Sequence, residues 1–214
     1  MSLRPALLAL ISAGPLTGYD AAKRFGASVG HLWNAPDSQI YPALRRMQKE
    51  GLLEAREVPW GRKHATKTEY SITPAGRLAL AEWQSTPLSY TAERDQAHLL
   101  AAYFEWAPAG EARRRLLEHI ENYEAVREIA EHQMRDIRER TSPTLQQRLA
   151  VSPPEEWDRI VAFKLFAYEG KVDRATAEIA WARRGLALLD EQEGGGEGSP
   201  RPSPDPDPRG AMGQ

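Results

Sequence analysis

Cysteine is absent from all 214 residues, which excludes a disulfide framework, a cysteine nucleophile and any cysteine-ligated zinc or iron–sulfur centre. The fold therefore has to rest on packing, as is usual in a reducing cytoplasm. Also missing is any apolar run long enough to cross a membrane, and the opening MSLRPALLALISAGPL is too short, and lacks the small-residue cleavage pattern, for a signal peptide. A cytoplasmic protein with no membrane partner is expected. The five histidines form neither HExxH nor a paired ExxH set, and there is no G-x-S-x-G elbow and no phosphate-binding glycine loop. Catalysis, a metal and an obligatory cofactor are not expected.

Net charge is nearly absent as well, at −2, but it divides unevenly along the chain. Residues 1–84 hold 11 Lys+Arg against 7 Asp+Glu, and the remainder holds 17 against 23. The two halves thus suggest different partners, and the position of the cations decides what the first half binds. The last 21 residues, GGGEGSPRPSPDPDPRGAMGQ, contain 6 Gly and 5 Pro and almost nothing apolar. Such a segment cannot offset its ordering entropy, so residues 192–214 are read as a disordered tail.

The basic half reads as three short helices, a hairpin and a fourth helix. Leu3 to Ile11 forms the first, closed by Gly14-Pro15; Thr17 caps a second over Gly18 to Ser28, with Asp20 in its first turn. Asp37 serves as N-cap of a third, which Gly51 stops. On a wheel of 3.6 residues per turn, Ile40, Leu44 and Met47 share one face and meet the core. Ser38, Pro42, Arg45 and Lys49 lie opposite, with Arg46 at the edge, so the proline sits on the outer side near the helix start, where its lost hydrogen bond costs less than in a helix interior. Leu53 to Val58 and Thr66 to Ile72 have strand character, with a break expected at Pro59-Trp60-Gly61 and a basic hairpin tip at Arg62, Lys63 and His64. Thr73-Pro74 then opens a helix running to about Trp83.

This order is that of a winged helix-turn-helix, whose third helix enters the major groove while the hairpin meets phosphate or minor groove. Arg45 can donate twice to a guanine edge, Gln39 can pair with adenine, and Tyr41 or Pro42 can touch a thymine methyl. Lys49, Lys63 and Lys67 can neutralise phosphates. Tyr19 and Tyr41 are equally suited to core or interface, and the six tryptophans are read as core or interface anchors.

The stretch GYDAAKRFGASVGHLWNAPDSQIYPALRRMQKEGLL, followed by KTEYSITPAGRLALAEW, resembles the PadR family of bacterial transcriptional regulators. The pieces G-Y, S-Q-I-Y-P-x-L-x-R-M and Y-x-I-T-x-x-G occur together, in the family's order and spacing, and the longer C-terminal half is similar to the virulence-activator-like branch in length and helical pattern. The resemblance implies a mainly α fold with a small β-hairpin, in which residues 1–84 form a DNA-binding domain and residues 90–191 a helical dimerisation domain. It further implies a homodimeric repressor that binds double-stranded operator DNA and is released by a small ligand.

The acidic half shows long periodic runs. Leu116, Ile120, Tyr123, Val126, Ala130, Met134 and Ile137 advance by threes and fours; Val161, Leu165, Tyr168, Val172, Ala175, Ile179, Ala182, Leu186 and Leu189 cover 28 residues in eight steps. An average step of 3.5 is a coiled-coil seam, which pairs either two subunits or two helices of one chain; pairing of subunits is expected. A helix near Gln96 to Trp106 precedes these runs. Between the halves, Trp83, Tyr90, His98, Tyr103 and Trp106 gather flat side chains with polar handles where a hinge is expected, which suits a small aromatic effector. The competing readings are an adaptor whose winged domain no longer binds DNA and, less favoured by the motifs, an enzyme.

Overall fold

The computed structural model describes residues 3–33, 35–60, 65–89 and 95–194. Among them the order is α1 (Leu3–Ile11), β1 (Leu16–Thr17), α2 (Gly18–Ala27), α3 (Asp37–Lys49), β2 (Leu53–Trp60), β3 (Ala65–Ile72), α4 (Pro74–Ser85), α5 (Gln96–Ala101), α6 (Glu111–Arg138), α7 (Pro143–Ala150) and α8 (Trp157–Gly194). The wing tip 61–64, Tyr90 and residues 195–214, where the basic tip, one linker aromatic and most of the tail were expected, lie outside the described residues.

Capping sets the short elements. Thr17 accepts the Asp20 backbone N–H at the start of α2, and Thr73 accepts that of Gly76 at the start of α4, with Pro74 at the first helical position. Asp37 opens α3 instead of capping it: Pro36 is the N-cap, in an extended conformation, and its carbonyl accepts the Gln39 N–H at 2.9 Å. Gly51 ends α3 at φ 73°, a left-handed conformation that glycine adopts without a steric penalty.

The expected break at Pro59 does not occur, and Trp60 remains paired with Ala65. The sheet order is β1-β3-β2, so β2 is an outer strand, where proline's missing N–H is tolerated. The two-residue β1, too short for any periodicity to reveal, pairs Leu16 with Tyr70.

The first core packs α1, α2, α3 and the sheet around Leu7, Leu8, Ile11, Phe25, Ile40, Leu44 and Met47, all at most 1% exposed. Burying each of these large side chains contributes roughly 1.5–3 kcal/mol. The second core, around Ala130, Met134, Ile137, Leu145, Leu149 and Tyr168, lies between α6, α7 and α8.

The seam expected to pair subunits is filled largely within the chain. Tyr168 and Ile179 are buried, and Val161, Leu165 and Val172 pack against the second core. Leu186 and Leu189 are half-buried. Exposed instead are Phe163, Phe166 and Leu188 of α8. The expected helix over Gln96 to Trp106 is interrupted: α5 ends at Ala101, and Phe104–Trp106 form a separate 3-10 turn.

Candidate nucleic-acid interface

The buried face of α3 fixes what its other face presents. Ile40, Leu44 and Met47 are at most 1% exposed, and each wheel position across from them is open: Ser38, Gln39, Tyr41, Pro42, Arg45, Arg46 and Lys49 all reach solvent. Among the described residues, none of Arg45, Arg46 and Lys49 is paired with a carboxylate, whereas Glu50 at the helix end is held by Arg4. Three cations without counter-charges on one face of a helix form a compact positive patch.

Tyr41 is set by its neighbour in α2. A Cβ on Gly18 would lie 2.8 Å from Tyr41 Cε1, so the ring rests on the bare backbone of Gly18. Tyr19, next in sequence, is 66% exposed beside it. The Gly-Tyr pair thus has two uses: glycine makes room for the ring of Tyr41, and tyrosine extends the exposed surface.

A groove separates α3 from the hairpin, lined by Arg45, Gln48 and Lys49 on one side and by Ala55, Arg56, Glu57, Thr68 and Tyr70 on the other. Across the strands Arg56 Nε donates to Glu69 Oε1 at 2.7 Å. Lys67 lies 3.9 Å from Asp20, so it is partly compensated within the protein, a partner that its strand position did not disclose in the sequence.

A second feature lies where the two domains meet. A cavity of about 280 Å³ is bounded by Ala9, Leu10, Ala13 and Leu32 of the winged domain and by Ile137, Leu145, Phe163, Ala167 and Tyr168 of the helical domain. Arg148 and Lys164 also line it, and among the described residues no carboxylate does. Arg148 Nη1 donates to Ser12 Oγ at 2.7 Å. Burial, and then the charge of Arg148, pull Lys164 below its ordinary pKa. Tyr168 OH donates to the Ser28 carbonyl at 2.9 Å, and Lys171 Nζ donates to that of His31.

Sequence reasoning missed this cavity, because its walls come from segments more than a hundred residues apart. Of the aromatics expected to form an effector site, the described Trp83, His98, Tyr103 and Trp106 do not line this cavity. Trp83 is on α4, His98 stacks on Trp181 with ring centroids 4.0 Å apart, and Tyr103 and Trp106 edge an open pocket with Leu99, Leu100 and Phe104.

Residues 7–82 match the model of the Transcriptional regulator PadR-like family. The Negative transcriptional regulator PadR of Bacillus subtilis (strain 168) is 35% identical over 104 residues, which are 48% of this chain and 56% of that protein. The chain thus spans just over half the length of that curated relative in the match. Among solved structures, Bacillus subtilis PadR in complex with operator DNA is similar with a TM-score of 0.62 at 25% identity, over 88% of this chain and 99% of that one. The same protein in complex with p-coumaric acid gives 0.59 at 25% identity, over 88% and 99%. The Vibrio cholerae virulence activator AphA gives 0.59 at 27% identity, over 89% and 99%. A matched N-terminal segment that contains the motif-bearing helix, continued by helices that follow the same solved structures, makes residues 7–82 a PadR-like transcriptional-regulator segment within a chain of PadR-like fold.

Proposed function

We propose that the chain is a sequence-specific, double-stranded DNA-binding regulator that represses transcription as a homodimer and is released by a small anionic effector. The observation that carries this reading is the exposed face of α3, where Arg45, Arg46 and Lys49 form no ion pair among the described residues and stand beside Gln39, Ser38 and Tyr41. Arg45 reads a guanine edge, Gln39 an adenine, and Lys49 a phosphate; Pro42 and Tyr41 supply apolar contact to a thymine methyl. The protein works in the cytoplasm and catalyses no reaction. Among the described residues no helix is long and apolar enough to cross a membrane.

Two chains are needed because a single recognition helix reads only one half-site. Exposed Leu99, Leu100, Tyr103 and Trp106, with Phe163, Phe166 and Leu188 of α8, supply the apolar surface for pairing.

The effector site is the cavity between the domains. Apolar walls accept a flat organic body, while Arg148 and Lys164, with no carboxylate among the described lining residues, call for a negative group. Bacillus subtilis PadR in complex with p-coumaric acid makes that planar carboxylate the first probe. An effector releases DNA only by binding the non-binding arrangement of the two domains more tightly.

The test begins with the full-length protein and genomic fragments. Sequencing the retained DNA should yield a two-fold related site, and titrations against that site and a scrambled one should separate specific from salt-dependent binding. Adding p-coumarate should then lower affinity for the site. Retention of random fragments only would refute sequence-specific regulation.

A further inference from the structure

The turn between α1 and β1, the end of β3, the start of α4 and the end of α7 enclose a cleft of about 430 Å³. Arg148 lines it, as it lines the interdomain cavity. Two ties between the domains set the width of the cleft. Arg148 Nη1 donates to Ser12 Oγ at 2.7 Å, and Gln147 rests on the bare backbone of Gly14, where a Cβ would lie 2.7 Å from Gln147 Nε2.

The charges in the cleft are unbalanced. Arg77 enters from the winged domain and Arg148 from the helical domain, and neither is paired with a carboxylate among the described residues. Glu156, the acidic residue on the described walls, is engaged by Arg159 at 3.2 Å. Folding does not account for Arg77: it is exposed, makes no hydrogen bond among the described residues, and stands in the first turn of α4, where the helix dipole disfavours a cation. Ser12 and Ser152 commit their hydroxyl protons to the Ala9 and Arg148 carbonyls, so the donors left facing the cleft are guanidinium N–H groups and the Ser71 hydroxyl. Donors on walls from both domains suit an acceptor whose oxygens point several ways at once. A carboxylate offers two oxygens in one plane, whereas a phosphate offers a tetrahedral set and up to two negative charges, which guanidinium forks bind in pairs.

We propose that this cleft binds a phosphate group, free or as the monoester of a small metabolite, held between Arg77 and Arg148 so that it joins the winged domain to the helical domain. The site is distinct from the effector cavity and from the cations of α3, and it rests on the reading of neither.

The experiment titrates the full-length protein, without DNA, with inorganic phosphate and separately with phenyl phosphate, at an ionic strength held constant with sodium chloride. Calorimetry reads the binding, and the unfolding midpoint reads it again, because a ligand of the folded state raises that midpoint. Arg77→Gln should weaken phosphate binding about tenfold or more, since one of two charge-assisted partners is lost. Glu156→Gln should strengthen it about threefold, since a like charge leaves the wall. Neither side chain is buried, so both variants should unfold at the wild-type midpoint when phosphate is absent. Tighter binding of phenyl phosphate than of phosphate would assign the site to a phosphorylated metabolite, and equal or weaker binding to free phosphate. No saturable binding beyond the chloride control, binding that Arg77→Gln leaves unchanged, or binding that Glu156→Gln weakens would overturn the proposal. Binding abolished by Arg45→Ala with Lys49→Ala and kept in Arg77→Gln would place the anion on α3, overturning the proposal while leaving the DNA-binding reading intact.

Discussion

Tyr168 and Ser28 lie 140 positions apart, yet the phenol of one donates to the backbone carbonyl of the other at 2.9 Å. The bond ties the middle of α8 to the end of α2, beside the cavity that both residues line. Replacing Tyr168 by Phe keeps the packing and removes the hydroxyl, so it should cost about 1 kcal/mol in urea unfolding. The same substitution should blunt release by the effector, because it loosens one tie between cavity and winged domain. Repeating operator titrations with and without p-coumarate will show this as a smaller ratio of affinities.

The pH dependence of that phenol has a definite sign. Burial raises Tyr168 from 10.0 to about 12, so between these values the native state holds a proton that the unfolded chain releases. Its contribution is complete below pH 10 and disappears as pH rises through about 12. The stability advantage of wild type over Tyr168→Phe should therefore shrink as pH rises through that interval.

Lys164 gives a second titration, linked to the effector. Burial, then Arg148, lower its pKa below the ordinary 10.5. A bound carboxylate favours the charged form and should raise that value again. Binding should then take up protons at alkaline pH, and affinity should fall as pH passes through the lowered pKa of the free protein. Calorimetry in buffers of different ionisation enthalpy measures the uptake, and Lys164→Met should abolish it.

On α3, Arg45→Ala and Lys49→Ala should fail in different ways. The first should cost about 1–3 kcal/mol on the recovered site and relax preference at one base pair. The second should weaken all sequences alike and lower the salt slope by about one. Equal losses on specific and scrambled DNA for Arg45→Ala would remove it from base reading.

Two glycines should separate stability from DNA binding. A Cβ on Gly76 would approach the Leu52 carbonyl oxygen to 2.3 Å, backbone that cannot move aside, so Gly76→Ala should lower the unfolding midpoint by an amount worth about 1–3 kcal/mol. At Gly18 the obstacle is the ring of Tyr41. Gly18→Ala should swing that ring out of place, reducing operator affinity with a smaller effect on the midpoint.

The winged domain was legible because its information is local. Thr17, Gly51 and Thr73-Pro74 act within one turn of where they stand, and the apolar spacing of Ile40, Leu44 and Met47 assigns the faces of α3 directly. The seam on α8 was legible as a buried stripe but not as to what buries it, since a 3.5-residue period looks the same against α6 as against a second chain. The cavity was hidden for a related reason: Arg148 and Lys164 are ordinary helix cations until folding brings Ala9 and Leu10 across from them. At Pro59 the residue was read correctly and its setting was not, because an outer strand accepts what an inner one refuses.

Helix α8 has 38 residues, about 57 Å at 1.5 Å per residue. Tyr168 and Lys171 hold it to the winged domain, and Trp181 meets His98 three turns further along. A rod of that length converts a small rotation at one end into a large displacement at the other. A tilt of about 10° at one end carries the other through about 10 Å, nearly a third of the roughly 34 Å between half-sites one turn apart. On the proposed reading, a ligand that shifts the cavity walls by about an ångström would act on the short arm, and a change too small to disturb either core would take the reading heads of two paired copies out of phase with the double helix.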